Sequence, residues 1–312
     1  MILSASRRTD IPTYYSEWFF NRIKEGYVYV RNPMNLHQVG RIALSPEVVD
    51  GIVFWTKNPL PMIDRLDELS DYVYYFQFTL NAYGKDVEPN IPSKSDVMIP
   101  AFQKLSQKIG KDKVVWRYDP ILFNENYTAE YHLKYFKMLV DRLAGYTEKC
   151  TVSFLDFYKN TQRNTASLGI RNPTFRQEEE LMRQFSEIAK TAGIALDTCA
   201  EEIDLSRFGI RHAHCIDKER FERLGNCRLN IGKDKNQRPE CGCAASIDIG
   251  AYNTCKNGCR YCYANLNQNT VSKNCSLHDP RSPLLFGTVS DADVVKDRDV
   301  KSCRDCQMNL FD

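Results

Sequence analysis

Gly51-Ile-Val-Phe-Trp-Thr56 is apolar on both of the faces a strand presents, and it runs straight into Lys57-Asn58-Pro59. A strand with one wet face alternates apolar with polar residues, whereas a strand covered on both sides reads as a continuous apolar run, the mark of a parallel sheet flanked by helices. Working outward, residues 2–6, 74–80, 113–117, 150–155 and 193–198 read the same way, and 246–250 makes a seventh strand. Amphipathic helices are predicted between them over 14–25, 60–69, 97–109, 129–144 and 175–191. Thr174 and Gln177 form a capping box for the last of these and Gly193 closes it. A shorter helix, 218–224, follows Asp217 as N-cap and stops at Gly225. Such alternation builds βαβ units. Six or seven strands without the Gly-rich first turn of a dinucleotide-binding sheet predict an α/β fold of the TIM-like barrel type, complete or partial. Residues 1–198 are assigned to the barrel core. Residues 199–312 form a cysteine-rich part that carries the last barrel strand, and the tail from Asn265 is expected to be largely irregular.

The 312 residues suit one α/β core plus a small appendage. Charge is balanced, Lys+Arg 42 against Asp+Glu 40, so no global field favours nucleic acid or an anionic membrane. Neither a secretory leader nor a run approaching the roughly 20 apolar residues of a membrane span is present, and a cytoplasmic location is expected. Cytosolic thiols stay reduced, so twelve cysteines, all between Cys150 and Cys306, point to metal chemistry rather than disulfides.

Three of them stand as Cys255-Lys-Asn-Gly-Cys259-Arg-Tyr261-Cys262. Ordinary [4Fe-4S] clusters are closed by four thiolates, so a tight three-thiolate loop leaves one iron free for another ligand. Gly258 supplies a residue able to take positive φ inside the loop. A structural zinc site is the plainer alternative, though zinc prefers four protein ligands and paired knuckles. The loop resembles that of the radical S-adenosylmethionine superfamily. That resemblance implies a [4Fe-4S] cluster on Cys255, Cys259 and Cys262, S-adenosylmethionine on its open iron, and Tyr261 near the adenine. It also implies reductive cleavage to a deoxyadenosyl radical that takes hydrogen from a substrate, with a flavodoxin- or ferredoxin-like reductant as partner. The loop usually follows the first barrel strand, whereas here it follows the last. A circular permutation that seats 246–250 beside the strand at 2–6 reconciles the two; a cluster-bearing tail docked on an unrelated barrel is the alternative. Ser6-Arg-Arg-Thr-Asp-Ile-Pro12, Val53-Phe-Trp-Thr-Lys-Asn-Pro59, Lys233-Asp-Lys-Asn-Gln-Arg238, and Asp248-Ile-Gly-Ala-Tyr-Asn-Thr-Cys255 running into Tyr261-Cys-Tyr-Ala264 resemble a bacterial and archaeal family catalogued as domain of unknown function 1848.

Cys199, Cys215, Cys241 and Cys243 are candidates for a second [4Fe-4S] cluster, with structural zinc or buried free thiols as alternatives. Cys227 is a substitute ligand, Cys275 with Cys303 and Cys306 a weaker half-site, and Cys150 a core residue. Barrel active sites lie at strand C-terminal ends, which directs attention to Arg7 and Arg8 and to the groups 56–58, 79–81, 117–119, 153–156 and 197–201. Arg7 or Arg8 is a candidate for holding the methionine carboxylate or an anionic substrate group, against the alternative of a surface charge pair with Asp10. Arg117, Asp119, Asp156 and Glu201 are the catalytic candidates. Residues 233–238 read as a solvated loop or a lid, and His212 and His214 as ordinary surface or packed histidines. Trp18, Phe19 and Phe20 sit at helical spacing and read as core rather than as a stacking platform for nucleic acid. The substrate is expected to be a small molecule. A nucleic-acid- or peptide-modifying enzyme, or a non-catalytic iron–sulfur or zinc protein for electron transfer or sensing, are the alternatives.

Overall fold

A computed structural model describes residues 1–305. Eleven strands are present among them: β1 Ile2–Ala5, β2 Tyr27–Asn32, β3 Asn35–Ala43, β4 Gly51–Thr56, β5 Tyr74–Thr79, β6 Val114–Ile121, β7 Lys149–Phe154, β8 Ala195–Thr198, β9 Arg211–His212, β10 Ile247–Asp248 and β11 Val294–Asp297. Eight of these make one sheet in the order β10-β1-β4-β5-β6-β7-β8-β9, parallel at every pairing. The late strand β10 pairs with β1 through Leu3 to Ile247 and Ser4 to Asp248, the placement that the permuted strand order requires. The order is linear, with β10 and β9 as its edges.

Alternation along the strands sorts the residues between two layers. Leu3, Ile52, Phe54, Phe76, Phe78, Trp116, Tyr118 and Val152 face the helices, where they meet Phe19, Phe20, Phe102, Phe136 and Phe185. Ile2, Val53, Tyr75 and Val115 face the other way, against Cys215, Ile216, Phe221, Cys241, Cys243 and Ala244 of the cysteine-rich part. Residues drawn from 199–244 therefore cover the second face of the sheet, while Ile203, Leu205 and Ile210 of the same stretch join the helix-side core. The helix Lys218–Gly225 lies so close to the start of β4 that a Cβ at Gly51 would stand 2.1 Å from Phe221 Cε1. Trp18, Phe19 and Phe20 are buried in the helix Ser16–Glu25, and Cys150 is buried in β7.

Several boundaries differ from expectation. The helix Phe175–Thr191 has the predicted limits and its Thr174–Gln177 box. The stretch 14–25 divides into Ile11–Tyr14 and Ser16–Glu25, because Asp10 caps the first piece, accepting from Thr13 N at 3.1 Å. The stretch 60–69 divides into Leu60–Ile63 and a 3-10 turn, Leu66–Leu69. Asn226, at φ +45, rather than Gly225, takes the left-handed position after Lys218–Gly225. Residues 27–43, assigned to no element from the sequence, form the antiparallel hairpin β2–β3, which β11 extends into a separate three-stranded sheet. The tail from Asn265 is correspondingly less irregular than expected, since it carries β11 and the helix Gln268–Cys275. No helix of the described residues is long and apolar enough to cross a membrane.

Candidate functional site

The cysteine loop begins seven residues after β10 and lies over the C-terminal ends of β1, β4 and β5, where parallel sheets place their ligands. Three anchors hold it there. Asn257 donates to Asp10 Oδ2 at 3.0 Å while its own Oδ1 accepts from Tyr14 at 2.8 Å. The backbone N–H of Arg260 donates to Val87 O at 2.9 Å, and Asn90 Nδ2 to Lys256 O at 2.7 Å. Gly258 has φ +70, and a Cβ on it would stand 2.9 Å from Asn90 Nδ2, so both the turn and its closeness to Asn90 favour glycine there.

Asp10 is a buried hub rather than a surface partner of Arg7 or Arg8. Besides Asn257 and Thr13 N, it accepts from Thr56 Oγ1 at 2.7 Å and Lys57 N at 2.8 Å. Burial raises its pKa against these donors. A second hub, Asp248 of β10, accepts from Ser4 at 2.9 Å, Ser6 at 2.6 Å, Arg7 N at 2.8 Å and Gly250 N at 2.9 Å. Arg8 approaches Asp248 at 4.0 Å and lies over the Tyr252 ring. Arg7 reaches Asp234 at 3.6 Å and Ser246 at 3.4 Å, and its carbonyl accepts from Tyr263 at 2.7 Å. The stretch 233–238 is thus tied down at Asp234, while Arg238 pairs with Asp156 at 2.9 Å.

The three loop thiols are desolvated. Burial pushes Cys259 up to about 12 and raises Cys255 and Cys262, so each is costly as an isolated thiolate. The surroundings nonetheless favour bound sulfur. Backbone N–H groups of Ala264 and Asn265 address Cys262, that of Asn257 addresses Cys255, and the Lys57 charge acts on Cys259 and Cys262. Hydrogen bonds to sulfur and nearby positive charge are the means by which proteins stabilise iron–sulfur clusters. Among the described residues no three His, Cys, Asp or Glu side chains are grouped so as to hold one metal ion. Thiolates bound to three different irons of a cluster stand farther apart than ligands of a single ion, whose bonds of about 2.3 Å draw the sulfurs together. The loop residues fit a three-iron attachment on the chemistry of their surroundings.

Tyr261 does not extend from the loop into solvent. Its hydroxyl donates to Glu88 and accepts from Asn81 Nδ2 at 3.2 Å, and its ring lies 5.4 Å from Lys57 Nζ. Glu88 also meets Lys57 at 2.7 Å and Lys94. Burial opposes its ionisation, but the two ammonium groups prevail and bring its carboxyl down to about 2. Asn81 continues the network by donating to Asp119 O at 2.8 Å and accepting from Asp119 N at 2.8 Å.

Asp119 joins the loop to the second thiol group. Its carboxylate is held by Arg117, whose Nε donates at 2.8 Å, and by Ser153. Arg117 Nη1 then donates to Cys215 Sγ at 2.9 Å, and the guanidinium lies 5.3 Å from the Trp55 ring. Cys215 contacts Cys199 at 3.2 Å, and Cys243, whose Sγ accepts from Ile216 N at 3.4 Å, lies near both Cys215 and Cys241 in the same buried cluster. The four predicted thiols therefore follow one another as a loose chain, with no three of them grouped around a single ion position. Its end member, Cys241, is held down at about 7 by the hydrogen bond with Cys243, against burial. Cys227 instead lies beside Arg304, Asp50 and Glu222. Cys275 contacts the Tyr15 hydroxyl and Thr254 O, both at 3.3 Å, whereas the Cys303 N–H donates to Asp50 and Cys306 lies outside the described residues.

Not every rim candidate is at the rim. Tyr118 faces the helices, bonded to His132 at 2.8 Å. Asp197 pairs with Lys149 at the start of β7. His212 and His214 are exposed. Glu201 does reach the β7 end, where its Oε1 accepts from Phe154 N at 2.7 Å, and burial, aided by Asp156 and Glu178, pushes its carboxyl up to about 7. A carboxyl raised in the folded state binds a proton that the unfolded chain has released. Its contribution to stability is present below about 4.5 and lost as pH rises through about 7. Glu201→Gln is expected to flatten the fall in denaturant midpoint between those pH values; an unchanged slope would place the titration elsewhere.

Sequence reading missed Glu88, Lys94, Asn257 and the hub role of Asp248. Glu88 and Lys94 lie in no motif; Asn257 stands inside the cysteine loop and Asp248 opens the stretch that leads to it, but nothing in the spacing marked either as an anchor. None of the curated proteins matches the chain. A family model covers residues 2–264, most of the chain and the whole of the cysteine loop, and so the protein belongs to the family described as a domain of unknown function, DUF1848.

Proposed function

We propose that this protein is a radical S-adenosylmethionine enzyme whose cluster is held by Cys255, Cys259 and Cys262. One observation carries the proposal: three half-buried thiols on a loop that follows a parallel strand, pinned over the strand ends and supplied with backbone N–H groups and a lysine charge. When bound and reduced, the cluster with S-adenosylmethionine supplies a deoxyadenosyl radical that takes a hydrogen atom from the substrate. The chain's own residues orient and shield. Asp10 and Asn257 fix the loop, Tyr261 closes it against Glu88 and Asn81, and Arg7, Arg8, Asp156, Arg238 and Glu201 offer charged and protonatable groups to a small polar substrate at the rim. The sheet is read as a partial barrel with this rim as its open end.

The four-thiol chain is read as the seat of a second [4Fe-4S] cluster, with Arg117 between it and the rim. A flavodoxin- or ferredoxin-like reductant in the cytoplasm would supply electrons. The test is anaerobic reconstitution with iron and sulfide, followed by dithionite and S-adenosylmethionine and an assay for 5′-deoxyadenosine. Production of it supports the enzyme. A loaded protein that makes none, with or without cell-extract small molecules, would favour electron transfer or sensing.

A further inference from the structure

Two ammonium groups meet one carboxylate under the cysteine loop. Lys57 Nζ lies 2.7 Å from Glu88 Oε1, and Lys94 occupies Oε2. The Glu88 side chain is 0% exposed, that of Lys57 11% and that of Lys94 21%. Among the described residues neither ammonium has a second carboxylate within ion-pair distance, since Asp119 is taken by Arg117 and Asp10 is occupied by Thr13, Thr56, Asn257 and the Lys57 backbone. The group therefore carries one surplus positive charge, and a buried charge without a counter-ion is costly. The group lies against the loop: Lys57 Nζ stands 5.4 Å from the ring of Tyr261, the residue between Cys259 and Cys262, so that besides Asp119 the anion-forming groups it faces are the loop thiols. The placement is fixed, because the connection between β5 and Lys94 is bonded to the loop at Val87 and Asn90.

We propose that Lys57, Glu88 and Lys94 form a positively charged seat that stabilises the reduced, more anionic state of the loop cluster. The inference rests on the cluster reading above. Each electron added to a thiolate-bound cluster raises its negative charge by one, and a fixed cation in a low-dielectric site favours that state. Lys57 and Lys94 are positioning residues here, acting through charge rather than by touching substrate.

The experiment is a redox titration of the full-length, anaerobically reconstituted protein, followed by electron paramagnetic resonance without S-adenosylmethionine. The loop cluster is identified as the signal lost in Cys259→Ala. At the wild-type midpoint, Lys94→Met should lower the reduced-to-oxidised ratio about tenfold, a shift of 59 mV for one electron, while Lys94→Arg should stay within about twofold. Lys94→Gln keeps a donor to Glu88 and reads the same loss of charge should the Met variant fail to fold. Unmoved midpoints in the Met and Gln variants of a loaded protein would overturn the seat alone. A wild type that takes up no cluster would overturn the underlying reading, and the seat with it.

Discussion

Cys259→Ala is expected to lose the loop cluster and S-adenosylmethionine cleavage together, while iron at Cys199, Cys215, Cys241 and Cys243 remains. Cys259 is half-buried, stands beside the turn at Gly258 and feels the charge of the lysine pair. On the proposed three-cysteine attachment alanine would leave only two thiolates, and the loss should exceed the roughly 10–100-fold that changes to supporting residues cost a metal site. The two thiol groups are separate in the fold, one over the strand ends and one within the second cover of the sheet, with Arg117 and Asp119 between them. Iron and sulfide per chain, compared with Cys241→Ala, give the check. Each variant should lose one share of iron and keep the other, and disappearance of all iron from Cys259→Ala would contradict two independent sites.

Arg117→Met is expected to be the most destabilising single change of charge in the site, by about 3–5 kcal/mol, the cost of breaking a buried ion pair. Methionine keeps much of the apolar stem, so the loss isolates the guanidinium. That group has its donors on Asp119, Gln77 and Cys215 and its face on Trp55, with a side chain 5% exposed. Without it, Asp119 retains Ser153 but no counter-charge. Denaturant midpoints read the loss, and Arg117→Met with Asp119→Asn should recover part of it, because the orphaned carboxylate is removed too. A loss below about 1 kcal/mol would mean that the pair behaves as a solvated surface bridge.

The main sheet was legible because buried parallel strands announce themselves as apolar runs, and the pairing of β10 with β1 followed from treating a late strand as the usual first one. The hairpin β2–β3 was not. Tyr-Val-Tyr-Val-Arg-Asn and its partner are half-exposed, and its turn has no Asn-Gly or Asp-Gly signal. β11 is exposed throughout and is defined only by its pairing with β3. In the site, spacing alone found the loop cysteines, and cysteine density found the four others. Charges were harder to place. Arg117 and Asp119 alternate onto the inner face as period two requires, but Asp10 looked like a surface partner of the arginines until its capping of Ile11–Tyr14 turned it inward. Glu88 lies in a connection, and its importance arises from Lys57, Lys94 and Tyr261, which approach from three different places in the chain.

The measurement that bears most directly on the central claim is the electron paramagnetic resonance spectrum of the dithionite-reduced, reconstituted protein with and without S-adenosylmethionine. An iron left open by Cys255, Cys259 and Cys262 predicts that S-adenosylmethionine changes the signal assigned to the loop cluster and leaves any signal from the second thiol group unaltered. A loop-cluster spectrum indifferent to saturating S-adenosylmethionine would contradict the account.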